Sequence, residues 1–411
     1  MKTIFGKHEA NTLKQLDDVA KNAVDVALMA DGHLGYVMPV GGVAAYDNKV
    51  SVVGVGYDIA CGNAAIRTNI KAVDLDEQDW HALADRIQKE ISFGVGRTNA
   101  SDDAPVDHEL FASPAWHELP DTHTRDKLRA KARQQLGTVG SGNHYVDVLV
   151  DENGDVWVGV HFGSRGLGHT IASGFMALAQ NKEWGDKVPE QETLLDIHDL
   201  LGAAYWELME LAGEYAYVGR EWVTRKVVSF LGGEELELVH NHHNFAWREI
   251  HRGTELIVVR KGATPAFPGQ RGFVGGSMGD DAVIVEGADG EYEGDGDITK
   301  TQESALFSTV HGAGRVLGRA EAIRGKVIKD ARGIPTGKRD ESTKILPEKM
   351  QEWIGRFGTV LRGGGVDEAP QAYRRLSEVL NAQGPTIKIL HTLTPRVVVM
   401  AGNEVRDPYK D

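Results

Sequence analysis

The chain has 411 residues, enough for one large or two ordinary domains, and its 41% hydrophobic content is that of a globular protein with a sizeable core. Lys and Arg total 45 against 60 Asp and Glu, and the resulting net charge of −15 excludes loose adhesion to nucleic acid by counterion release, while leaving room for a local basic cleft. One cysteine excludes an internal disulfide, and no apolar run nears the roughly 18 residues that span a bilayer, so a cytoplasmic protein with no membrane attachment is expected.

Leu13, Leu16, Val19, Ala20, Ala23 and Val24 recur at helical spacing, which predicts an amphipathic helix over about residues 10–28. Apolar runs broken by glycine follow at 37–45 and 50–55 and read as strands. Helices are predicted over 74–91 and 124–135. Strands at 145–150 and 156–161 are joined by Asp151-Glu152-Asn153-Gly154, whose Asn-Gly is a good hairpin turn. Residues 194–231 read as mostly helical. Strands at 256–259 and 283–285 come next, then helices at 320–330 and 370–380. Two strands, 387–390 and 397–400, close the chain. Helices and strands intermix without a regular βαβ repeat. The expected class is therefore α+β: a single large domain over 1–411, with mixed and antiparallel sheets flanked by helices and an active site in Gly-rich loops at strand ends.

The chemistry-bearing residues fall in such loops. Asp58 and Cys61 lie three apart between Gly56 and Gly62. A thiolate there can bridge two metal ions beside a carboxylate, although a lone cysteine is as readily an inert core residue. His144 follows Gly140-Ser141-Gly142-Asn143, a turn whose backbone N–H groups can cradle phosphate. His161 ends a strand and precedes Gly163-Ser164-Arg165-Gly166, where Arg165 is either a phosphate clamp or a structural ion pair. His240, His242 and His243 form a metal-prone cluster, of which a strand turns only alternate members to one side. His311 precedes Gly312-Ala313-Gly314-Arg315, so the ring has open space on one side; ligand, base and nucleophile are all open readings. Arg260, Lys261, Arg271, Arg315 and Arg319 suggest a positive cleft or a solvated surface.

With these motifs assembled in order, the chain resembles the RtcB family of RNA-splicing and RNA-repair ligases. The likeness runs through Met29-Ala30-Asp31-Gly32-His33-Leu34-Gly35, the Gly56–Gly62 loop, residues 136–144, residues 161–168, His243-Asn244 and residues 260–264. It continues through residues 276–279, 311–315 and 368–373. The resemblance implies joining of RNA ends bearing a 2′,3′-cyclic phosphate or 3′-phosphate to 5′-hydroxyl ends, with GTP and Mn²⁺, by a protein expected to be monomeric. It implies two manganese ions held by Asp58, Cys61, His144, His161 and His243, and a guanylylated His311. The nucleotide is expected against Asn143, His144, Tyr145, Val146 and Asp147, against His243 and Asn244, and against Gly275, Gly276, Ser277 and Met278. His311, Gly312, Ala313, Gly314 and Tyr373 complete that pocket, and Arg165 and Arg315 are expected at RNA phosphates.

The pattern departs from the family at Asp147, usually Glu, at Gly275, usually Pro, at Ala282, usually Ser, and at Ala401, usually Lys. Loss of charge-assisted hydrogen bonds at these positions weakens the expectation of guanine preference more than that of metal binding. Two rival readings follow. One is a paralogue, a manganese-dependent nucleotidyltransferase or RNA-end-processing enzyme with another nucleotide preference. The other is a non-catalytic RNA-end-binding protein.

Overall fold

Two sheets carry the fold in the computed structural model, which describes residues 1–288, 298–330 and 334–402. The larger sheet runs in the order Arg271–Val274, Ala282–Gly287, Ile387–Met400, Tyr145–Val150, Asp155–Phe162, Gly62–Lys71 and Glu235–His242, with Val360–Arg362 parallel to Ile387–Met400. The smaller runs Lys2–Ile4, Asp25–His33, Val40–Tyr46, Thr254–Lys261, Asn244–His251; its first pair is parallel and the rest antiparallel. This is the expected α+β arrangement of mixed and antiparallel sheets with helices packed against them.

The predicted hairpin of Tyr145–Val150 with Asp155–Phe162 forms, with Val150 opposite Val156. Its alternation sorts side chains to two cores. Val146, Val148, Val158 and Val160 pack with Val223 and Val227 of the helix Leu200–Phe230. Tyr145, Leu149 and Trp157 face the other way, against Phe273, Val398 and Met400. That helix is buried along most of its length, and each aliphatic side chain so removed from water contributes about 1.5–3 kcal/mol. The same helix carries one guanidinium, Arg220, into the interior at 0% exposure.

Several predicted elements take another form. The first helix stops at Ala20, and Asp25–His33 is a strand whose first eight residues are buried, so no period marked it. Within the expected strand 50–55, only Val50 and Ser51 are extended, as the end of the strand Lys49–Ser51; the Ser51 hydroxyl accepts from Gly54 N–H at 2.9 Å and starts the helical turn Val52–Val55. The helix expected at 320–330 ends at Arg324, where Gly325 adopts φ +84° and leads into the strand Lys326–Lys329. The two closing strands are one, Ile387–Met400, with a register shift at Pro395, which lacks the N–H a continuous ladder needs. Arg165–Ala179 is a helix that the Gly-rich reading missed.

Candidate metal centre and nucleotide pocket

Sheet register assembles the centre. Gly62 pairs with Phe162 on one side and His242 on the other, which places Cys61, His161 and His243 together at the strand ends. The turn that carries Cys61 closes through its N–H to Asp58 O at 3.0 Å, with Ala60 at φ +60°. Backbone bonds fasten it: His243 N–H donates to Cys61 O at 2.8 Å and Ala60 N–H to Asn244 O at 2.7 Å. Beneath it, Arg220 Nη1 donates to Ala60 O at 2.9 Å and to Phe162 O at 2.7 Å, and Nη2 lies 2.8 Å from His242 Nδ1. His242 and His240 thus belong to the support of the loop, and His243 alone of the cluster faces the cavity.

Cys61 Sγ lies 3.2 Å from His161 Nε2 and 3.6 Å from His144 Nε2, which is itself 3.1 Å from Asp58 Oδ2. The donor atoms of Cys61, His161 and His243 lie within 4.8 Å of one another, as do those of Asp58, Cys61 and His144. Two triads sharing one sulfur fit a pair of divalent ions with a bridging thiolate. His144 Nδ1 lies 3.0 Å from Val139 O, on the side of the ring away from Cys61 and Asp58, which Nε2 faces. By donor type alone such a site binds zinc more tightly than manganese.

Burial, reinforced by neighbouring imidazoles, lowers the His161 and His243 pKa values well below the ordinary range, so both rings are neutral and keep lone pairs. Burial and the nearby Asp58 carboxylate push the Cys61 thiol up. Burial also works against ionisation of Asp58, but the His144 hydrogen bond and the Arg165 charge outweigh it and hold Asp58 at about 2.

His311 completes the cluster from a separate two-stranded sheet. It follows the strand Ser308–Val310, paired with Ala263–Pro265, and its ring centroid is 4.9 Å from that of His243. Asp31 Oδ2 accepts the N–H groups of His311 and Gly312 at 3.0 and 3.3 Å, and lies 2.6 Å from His311 Nδ1, off the line of a hydrogen bond. Asp31 is fully buried and was missed as a site residue; an acid embedded in the apolar run 26–30 was the available signal.

A cavity extends from the metal donors past Asn143, Tyr145, Asp147, Gly275, Gly276, Ser277 and Met278, and along Gly312–Gly314 to Tyr373. Asn244 lines it too, its Oδ1 accepting Gly262 N–H at 2.7 Å. Val146 is the exception among the expected nucleotide contacts: it does not line the cavity, because strand alternation turns its side chain into the opposite core. The buried atoms Asn63 Oδ1, Tyr145 Oη and Asp147 Oδ1 lack protein partners, as the wall of a polar ligand site does. Burial raises the Asp147 carboxyl well above its ordinary value.

The expected positive cleft is smaller than the sequence suggested. Lys261, Arg315 and Arg319 line the cavity. Arg260 instead pairs with Glu249 in the interior, and Arg271 pairs with Glu237 and Glu286 away from it. Arg315 donates to Glu368 Oε2 at 3.0 Å, Tyr373 Oη at 2.7 Å and Asp367 O at 2.6 Å. Arg165, at φ +57°, places Nη1 3.2 Å from His144 Nδ1.

The site thus joins two groups of donors that could hold metal ions, sharing one cysteine sulfur, with an imidazole beside a polar pocket. The family model described as tRNA-splicing ligase RtcB matches residues 11–401. The chain is similar to the RNA-splicing ligase RtcB1 of Escherichia coli, 29% identical, covering 95% of this chain and 94% of that protein. It is also similar to the tRNA-splicing ligases RtcB of Archaeoglobus fulgidus, 32% identical over 91% of this chain and 87% of the other, and of Thermococcus kodakarensis, 32% identical over 86% and 82%. The chain belongs to the RtcB family. Among the described residues no helix is long and apolar enough to cross a membrane.

Proposed function

We propose that the chain is an RNA ligase that uses GTP and Mn²⁺ to join a 2′,3′-cyclic phosphate or 3′-phosphate end to a 5′-hydroxyl end, acting as a cytoplasmic monomer through one domain, 1–411. The observation that supports it most is the contact of His311 with both His243 of the metal triad and the buried Asp31. Family membership and the printed names of the relatives support the RNA-joining class.

A carboxylate beside Nδ1 favours the imidazole tautomer protonated there, which leaves the lone pair on Nε2 as the nucleophile. Nε2 attacks the α-phosphorus of GTP; a P–N bond forms, the bond to the β-phosphate oxygen breaks, and pyrophosphate leaves. An oxygen of the RNA 3′-phosphate then displaces the imidazole and takes the GMP; a cyclic phosphate first adds water to open to the 3′-phosphate. Finally the 5′-hydroxyl attacks that phosphorus, GMP leaves, and its proton passes to solvent or a nearby base. Two divalent ions in the Asp58, Cys61, His144, His161 and His243 set would neutralise charge developing on the phosphates. Asn143, Asn244 and the Gly275–Met278 loop would hold the nucleotide, and Arg165 an RNA phosphate, with Arg315 bracing the pocket wall through Glu368 and Tyr373.

A second reading, another preferred base, is favoured by the Asp147 carboxyl, which among the described residues has an unpartnered oxygen and no cation beside it, with Ala401 where the family usually has Lys. The deciding experiment is ligation of a cyclic-phosphate RNA to a 5′-hydroxyl RNA with and without GTP and Mn²⁺. No product with both present would end the ligase reading; product with ATP in place of GTP would select the second.

A further inference from the structure

A second cavity opens beside the reaction pocket and shares His33, Val40, Lys261, Arg315 and Arg319 with it as a common wall. Its other side carries Leu34 and Tyr36, two large apolar side chains left 53% and 43% exposed. The loop that presents them is fastened. Gln15 Nε2 donates to Gly35 O at 2.7 Å and to Tyr36 O, and its Oε1 accepts Gly35 N–H at 3.1 Å. The Tyr36 ring is braced edge-on by Tyr57 at 6.1 Å between centroids, and Tyr57 in turn stacks on His169 at 5.2 Å. Lys261 Nζ lies 5.8 Å over the Tyr36 ring centroid, and the exposed part of a ring so held is a surface for stacking at little cost in ordering.

Charge in the same groove points to the occupant. Lys261 Nζ donates to Val53 O, and Arg374 donates to Ala30 O and Gly32 O. Neither cation has a carboxylate within ion-pair distance among the described residues, in a chain of net charge −15. Arg315 and Arg319, paired with Glu368, add two more cations, against the acids Glu9 and Glu321. Unpaired positive charge interleaved with an exposed aromatic is the pattern of a single-strand nucleic-acid groove. An acidic peptide would meet the charge but has no general use for the flat ring.

We propose that this groove holds the unpaired nucleotides next to the reacting end of an RNA strand, with bases stacked on Tyr36 and Leu34 and phosphates facing Lys261 and Arg374. The assignment rests on the ligase reading above, because the groove is continuous with the pocket where the end reacts.

The test is fluorescence anisotropy of the full chain with a single-stranded RNA of about ten nucleotides carrying a 3′-phosphate, run beside labelling of His311 by radioactive GTP without RNA. Tyr36→Ala is expected to weaken RNA binding about tenfold, Leu34→Ala less, and Tyr36→Trp to restore it. Labelling of His311 stays at the wild-type level in all three, since neither side chain lines the reaction pocket. Unchanged RNA affinity in both alanine variants overturns the proposal, as does a tryptophan variant as weak as the alanine one. Absence of label in the wild type would instead strike the ligase reading, while anisotropy still reads the groove.

Discussion

Asp31 and His311 stand 280 residues apart in sequence, yet the carboxylate of one accepts the backbone N–H of the other and lies 2.6 Å from its Nδ1. The smaller sheet supplies Asp31 and the strand pair Ala263–Pro265 with Ser308–Val310 supplies His311, so the His311 ring is set by packing between two separate pieces of chain.

Asp31→Asn keeps the size of the side chain but removes the carboxylate beside Nδ1, which in the proposed mechanism favours the Nδ1-protonated tautomer. Nucleotide transfer to His311 should slow by roughly 10²-fold, with metal content unchanged. Single-turnover labelling measures this; a rate within twofold of wild type would show that Asp31 only holds the loop.

Cys61→Ala removes the sulfur shared by both donor triads. Mass-spectrometric metal analysis should find bound divalent metal greatly reduced, and ligation should be lost. Thermal unfolding of the metal-free variant should stay close to that of the metal-free parent, because the loop is held by backbone bonds and Arg220 and not by the thiol. Full metal loading in the variant would remove Cys61 from the centre.

Base preference is read by labelling with each of the four nucleoside triphosphates. In the second reading ATP labels at least as well as GTP. Ala401→Lys combined with Asp147→Glu should then shift preference toward GTP by about 10- to 100-fold, the worth of one or two charge-assisted hydrogen bonds. Unaltered ratios would place base reading elsewhere in the pocket.

Acid stability follows from the buried His240, which accepts a hydrogen bond from Arg220 Nε at 2.8 Å. Burial, aided by the Arg220 charge, lowers its pKa from 6.5 to about 3. Between those values the unfolded chain binds a proton that the folded chain refuses, so stability is full above pH 6.5 and falls as pH drops toward 3. The slope from this ring is at most about 1.4 kcal/mol per pH unit. His240→Gln, which keeps an acceptor for Arg220, should flatten the decline of urea midpoints between pH 6.5 and 4.5; an identical decline in both proteins would assign it to other groups.

Gly314 sits at φ +72°, and a Cβ there would run into the Asp31 carbonyl. Gly314→Ala should therefore cost His311 labelling more than the about 1 kcal/mol usual for a left-handed non-glycine residue costs stability, because the clash moves the Asp31–His311 pair directly. Paired measurement of unfolding and labelling checks it, and loss of stability alone with full labelling would contradict it.

The amino-acid sequence alone determined the elements whose period shows in the chain: the hairpin of Tyr145–Val150 with Asp155–Phe162, the helices Glu77–Glu90, Thr122–Gln135 and Leu200–Phe230, and the set of Gly-flanked histidines around one cysteine. Each rests on local physics, namely side-chain alternation, caps such as Asp76 and Asp121, and loops where glycine allows a donor to face open space. Only the tertiary structure decided that 25–33 is a strand and 52–55 a helical turn, since residues covered on every side carry no polar face to reveal a period. It also decided that Val146 points away from the pocket, that Arg260 and Arg271 leave the cleft, and that Arg220 and Asp31 support the chemistry. Most of those outcomes come from contacts between separate elements, 11 residues apart for Arg260 with Glu249 and 280 for Asp31 with His311, and no local period records them.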